Sequence, residues 1–147
     1  MEILQTVHSY LAYAVLAVLF IAVGNAIIGL VSNKIFTMEK DLRISLFALI
    51  MSHIQLVIGL VLYFVSTSGF KAIQLVGMET ITSNPAARLL ALEHPLINII
   101  AVVLITIGWS RHKKFLEGNK KFRSIAIFYG LGLLLILSRI PWGQWFN

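Results

Sequence analysis

Cysteine is absent from this chain. Disulfides, thiolate zinc sites, iron–sulfur clusters and thiol nucleophiles are excluded with it. Charge is nearly as scarce. Only 12% of the 147 residues are Asp, Glu, Lys or Arg, against about 25% in an ordinary soluble domain. That leaves too little polar surface to cover a globule in water. Acids number six, and Glu93 alone falls inside an apolar run, which excludes a carboxylate-rich metal site. A Gly-rich phosphate loop, an HExxH helix and a nucleophile motif are all missing.

What is present is hydrocarbon. The chain is 59% apolar, with a mean hydropathy of +0.89. An all-α integral membrane protein follows, built as one transmembrane domain over residues 1–147. Four apolar runs approach or exceed the roughly 20 residues needed to cross a bilayer. They cover about 6–31, 42–66, 85–109 and 122–139. The first is too long for the apolar core of a cleavable signal peptide and has no basic stretch before it, so it is expected to be retained. Short connections between successive runs predict an up-down-up-down four-helix bundle. The connection between the second and third runs, TSGFKAIQLVGMETITSN, mixes apolar and polar residues and reads as a short interfacial segment. Asn84 and Pro85 then have the residue types of a helix cap and first helical position.

The net charge of +6 would suggest nucleic acid in a soluble protein. Here its placement argues otherwise. The first connection holds Lys34, Lys40 and Arg43; the third holds Arg111, Lys113, Lys114, Lys120, Lys121 and Arg123. Basic connections stay in the cytoplasm. Both termini and the second connection are therefore expected outside, in the periplasm if the membrane is a bacterial inner membrane. The partner implied is the lipid bilayer, not nucleic acid.

Polar residues within the runs carry the functional information, because each is costly in hydrocarbon. They are His8, Asn25, Ser52, His53, Gln55, Glu93, His94, Asn98, Thr106, Ser138 and Arg139. The fourth histidine, His112, falls in the basic connection and reads as solvated. At a rise of about 1.5 Å per residue, His53 stands roughly 15 Å above the inner boundary, near the midplane. His94 and Arg139 stand roughly 22 and 24 Å up, in the outer half with Glu93. His8 falls near the outer headgroups. Pro95 is too deep to be a start signal and should kink its helix near Ala91. His94 and Asn98 share a helix face. Gly132, seven residues before Arg139, would let something flat approach.

A flat, apolar group with an anionic edge describes a haem. A b-type haem takes one or two neutral imidazoles from facing helices. The candidate pairs are His53 with His94, and His8 with His94. Arg139 would serve as the cation near the propionates. Glu93 would pair with Arg139 or hold a ligating imidazole from behind. Without haem, the same Glu/His/Arg residues would form a buried network for proton relay or transport, or lock the helices of an accessory subunit.

The strings VHSY (7–10), SHIQLVIGLVLYF (52–64), EHPLINIIAVVLITIG (93–108) and LSRIPW (137–142) resemble, in that order, the small four-helix bacterial membrane proteins labelled cytochrome b or cytochrome-b-like. The resemblance spans nearly the whole chain. It implies haem b, with His8, His53 and His94 as ligand candidates and Glu93 and Arg139 as their polar partners. The expected role is electron transfer within the inner membrane, with a quinone or another membrane redox partner. A homodimer could place a cofactor between protomers.

Overall fold

The computed structural model describes residues 1–145 and contains helices, with no strand among the described residues. Four helices are long and apolar enough to cross a membrane: α1 (Glu2–Val31), α2 (Met38–Val65), α5 (Pro85–His112) and α6 (Gly118–Ser138). The shortest has 21 residues, and at about 1.5 Å each that matches a hydrocarbon layer of about 30 Å. Three short helices complete the described residues. α3 (Phe70–Val76) and α4 (Met78–Ser83) lie in the connection between α2 and α5, and α7 (Trp142–Trp145) follows α6.

Local chemistry sets the helix starts. Asn84 Oδ1 accepts from the N–H groups of Ala86 at 3.0 Å and Ala87 at 3.1 Å. Pro85, with no N–H to satisfy, takes the first helical position. At the start of α2, Asp41 reaches back to Thr37. Its Oδ2 accepts from Thr37 N at 2.8 Å and Thr37 Oγ1 at 3.0 Å, while its Oδ1 accepts from Asn25 Nδ2 of α1 at 2.8 Å. Asp41 is buried, and these bonds account for its tolerance there.

Pro95 acts where its chemistry requires. Its ring opposes the carbonyl of Ala91 four residues earlier. The helix responds with a wide π-helical turn over Leu89–Glu93. Such turns absorb a lost i→i−4 bond without ending the helix.

α1 packs on α2 and α6, and α5 packs on the same two helices. Small residues allow close approach, as expected where lipid offers no hydrophobic drive between helices. A Cβ on Gly108 of α5 would come within 2.6 Å of Phe128 Cβ, and one on Gly132 of α6 within 2.8 Å of Ile105 Cγ1 and 3.0 Å of Ala101 O. Gly132 is thus covered by α5, and the expectation that a flat ligand approaches there is corrected. Tyr129, fully buried, donates its hydroxyl to Ser45 O across the core at 2.8 Å.

The basic connections meet at one end of the molecule, where Asn119 Nδ2 donates to Asn33 Oδ1 at 2.9 Å. His112 is not solvated, as its position suggested, but 0% exposed. Its ring packs between Trp109 and Phe36. Helix α5 continues three residues beyond Trp109 and carries the imidazole inward under the loop.

Candidate functional site

The opposite end gathers the start of α1, the end of α2, the start of α5 and the end of α6 with α7. A cavity of about 580 Å³ opens between them, within the range of about 300–1,000 Å³ typical of small-molecule and cofactor sites. Its apolar wall includes Leu16, Leu60, Val102 and Ile136. Its polar groups include His8, Gln55, His94 and Asn98.

His8 and His94 face each other here. Their ring centroids are 6.2 Å apart, with the planes at 86°. His8 projects from α1 and His94 from α5, the two long helices that share neighbours rather than pack broadly on each other.

The hydrogen bonds of His94 define its chemical form. Nδ1 stands 2.8 Å from the carbonyl oxygen of Arg139 and, more loosely, 3.3 Å from Asn98 Nδ2, so the closer carbonyl decides the proton. A carbonyl only accepts, so Nδ1 carries the proton and Nε2 keeps a free lone pair. This is the form in which imidazole binds metals. Asn98 Nδ2 donates to the His94 carbonyl at 2.6 Å. That bond holds the Asn98 side chain against its own helix, on the face it shares with His94.

Glu93 and Arg139 lie behind this wall and do not line the cavity. The Glu93 carboxylate bridges two arginines. Oε1 meets Arg88 Nε at 2.8 Å, and Oε2 meets Arg139 Nε at 3.2 Å. Arg88 Nη1 also donates to Thr82 O at 2.9 Å, and Arg139 Nη1 to Ser138 O at 2.8 Å. All three ionised side chains are partly exposed, as charges near a water boundary should be. Glu93 does pair with Arg139. It is the Arg139 backbone, however, that holds the His94 ring.

His53 is placed elsewhere. It is exposed on the outer side of α2 and does not line the cavity. Its Nδ1–H donates to Leu49 O at 2.8 Å, and its Nε2 faces Thr106 Oγ1 of α5 at 3.3 Å. The structure therefore brings His8, and not His53, to His94.

Two imidazoles from different long helices, beside a largely apolar cavity, are a donor set that suits a haem, and His8 and His94 would be the residues to hold it. Among the described residues, no three His, Cys, Asp or Glu side chains gather as a metal-binding group. Two imidazoles are too few to cage a bare ion, but would suffice to hold a haem.

Two elements of this wall were given no role by the sequence. Gln55 stands out there only as a polar residue in a span, and Gly59 as one of ten glycines. In the structure Gln55 Nε2 donates to His8 O at 2.9 Å, and Gly59 lies against the His8 ring. Their spacing of four was the available clue. No family model, no curated protein and no solved structure matches this chain.

Proposed function

We propose that this chain is a multi-pass protein of the bacterial inner membrane, with its four long helices in an up-down-up-down bundle. We propose further that its cavity holds a b-type haem between His8 and His94, for electron transfer within the membrane. The carrying observation is the pair of imidazoles 6.2 Å apart at the cavity wall. The orientation rests on charge. Of twelve Lys and Arg, nine belong to the two connections at one end, leaving Lys71, Arg88 and Arg139 at the cavity end. Two of those three are paired with Glu93. The basic end then faces the cytoplasm and the cavity opens toward the periplasmic side.

When bound, haem supplies reversible one-electron chemistry. The chain supplies position and field. Arg139 O fixes the His94 ring and its tautomer. The apolar part of the wall lowers the local dielectric, which raises the influence of nearby charge. The Arg88–Glu93–Arg139 cluster places net positive charge behind His94, which favours the reduced state. A quinone is the redox partner class that the bilayer provides.

The test is a reduced-minus-oxidised visible spectrum of protein purified in detergent after expression with ample haem. A sharp b-type α-band at near-stoichiometric haem supports the reading. A colourless, folded protein that takes up no added haem overturns it.

One observation favours a second reading. Glu93 joins Arg88 to Arg139, which ties the start of α5 to the end of α6 without any cofactor. In a protein without haem this network would lock the helices or relay protons through His94. Acid-driven transport in sealed vesicles separates those two roles, since only a relay would move protons.

A further inference from the structure

Two buried side-chain atoms in the cavity wall have no hydrogen-bond partner among the described residues: His8 Nδ1 and Gln55 Oε1. They are chemically complementary. An imidazole nitrogen can carry a proton, and an amide oxygen can only accept one. Buried polar groups are seldom left unpaired without cause.

The two residues already touch. Gln55 Nε2 donates to His8 O at 2.9 Å. Because that carbonyl only accepts, the amide cannot be turned the other way. Its oxygen lies about 2.2 Å from its nitrogen, so Oε1 is held near the root of the His8 side chain. One helical turn further on, Gly59 presses the ring from the same direction. A Cβ at Gly59 would stand 3.0 Å from His8 Cε1. Gln55 and Gly59 are four apart and share one face of α2. One contributes bonds, and the other leaves room.

We propose that Gln55 and Gly59 form a seat for His8, with Gln55 as its positioning residue. Nδ1–H of His8 donates to Gln55 Oε1, and the Nε2 lone pair turns into the cavity toward His94. Forming this bond takes a turn about the terminal torsion of Gln55, which is broad and soft. The two imidazoles are then held alike. Each sets Nδ1–H on an oxygen behind it, Gln55 Oε1 for His8 and Arg139 O for His94. The use of this seat, orienting an axial ligand before the cofactor arrives, rests on the haem reading. The seat itself does not.

The experiment reads the imidazole directly. Nitrogen-15 histidine spectra are recorded for the haem-free full chain in lipid nanodiscs, with His8 assigned by its loss in His8→Ala. The wild type should hold His8 as the Nδ1–H tautomer. Gln55→Met, similar in size, should lose that dominance and gain the Nε2–H form. Gln55→Glu, which keeps an acceptor oxygen, should restore it. Gly59→Ala gives an independent check and should also reduce the Nδ1–H share by displacing the ring. An Nε2–H His8 in the wild type, or a tautomer unchanged in both Gln55→Met and Gly59→Ala, overturns the seat. If the tautomers respond as expected and no haem binds, the seat stands and the cofactor reading falls. If haem binds through His8 and the tautomer ignores Gln55, the reverse holds.

Discussion

The carbonyl of Arg139 and the imidazole of His94, 45 positions apart, meet at 2.8 Å. This bond joins the end of α6 to the start of α5 and selects the tautomer that leaves Nε2 free. It is a backbone contact, so it survives loss of the arginine side chain. Arg139→Ala should therefore keep haem while losing a positive charge. The midpoint potential should fall by on the order of tens of millivolts. Glu93→Gln should shift it upward. Redox titration of both variants checks the signs, and haem loss in Arg139→Ala would show that the side chain matters more than its carbonyl.

Ligand assignment separates the histidines. His8→Ala and His94→Ala should each abolish stoichiometric haem retention. His53→Ala should retain it, losing the bond to Leu49 O within α2 and the weak link to Thr106, the latter worth about 0.6 kcal/mol for an average interhelical hydrogen bond in a membrane. Pyridine haemochrome content of the three variants is the measurement. Retained haem in His8→Ala, with loss in His53→Ala, would return the ligand to α2.

The α5–α6 contact should tolerate no added methyl. Gly132→Ala places a Cβ 2.8 Å from Ile105 Cγ1 and 3.0 Å from Ala101 O. Overpacking of this kind costs about 1–3 kcal/mol. Gly24→Ala meets nothing within 4 Å and should be neutral or stabilising, because alanine is the better helix former. Thermal unfolding in one detergent compares the pair, and equal midpoints would contradict the packing.

Asp41 anchors the start of α2 to α1. Asp41→Ala leaves Thr37 N and Asn25 Nδ2 without their acceptor. The expected cost is about 1–3 kcal/mol. Asp41→Asn should cost less, since its single amide oxygen can still serve one donor. Denaturant or heat unfolding distinguishes the two, and matching losses would mean that the charge, not the acceptor geometry, is what counts.

Orientation can be read with thiols, because the chain has no cysteine of its own. Leu116→Cys lies in the basic connection between α5 and α6, at a fully exposed position. Ser68→Cys lies in the connection after α2, also exposed. In intact cells an impermeant maleimide should label position 68 and spare 116. The opposite pattern would invert the proposed topology.

Helix content and the four long apolar runs were legible because they depend on length and composition alone. The start of α5 at Pro85 was legible because Asn84 and Pro85 carry their own local chemistry. The disturbance before Pro95 was legible for the same reason, and it takes the form of a π-helical turn over Leu89–Glu93. His112 was misjudged because α5 runs on past Trp109, and no local signal near the basic residues marks where it stops.

The sequence by itself determined that the chain suits lipid, that it holds no thiol chemistry, and that its positive charge is concentrated in two connections. Position along each helix also followed, since rise per residue is fixed. Which histidines meet was decided only by tertiary structure. Depth is one coordinate, whereas a contact also needs rotation about the helix axis and the identity of the neighbouring helix. α1 is apolar on nearly every side, so its sequence declares no inward face for His8. Packing against α2 and α6 supplies that rotation. The same packing leaves His53, at a depth that looked suitable, on the outer side of α2.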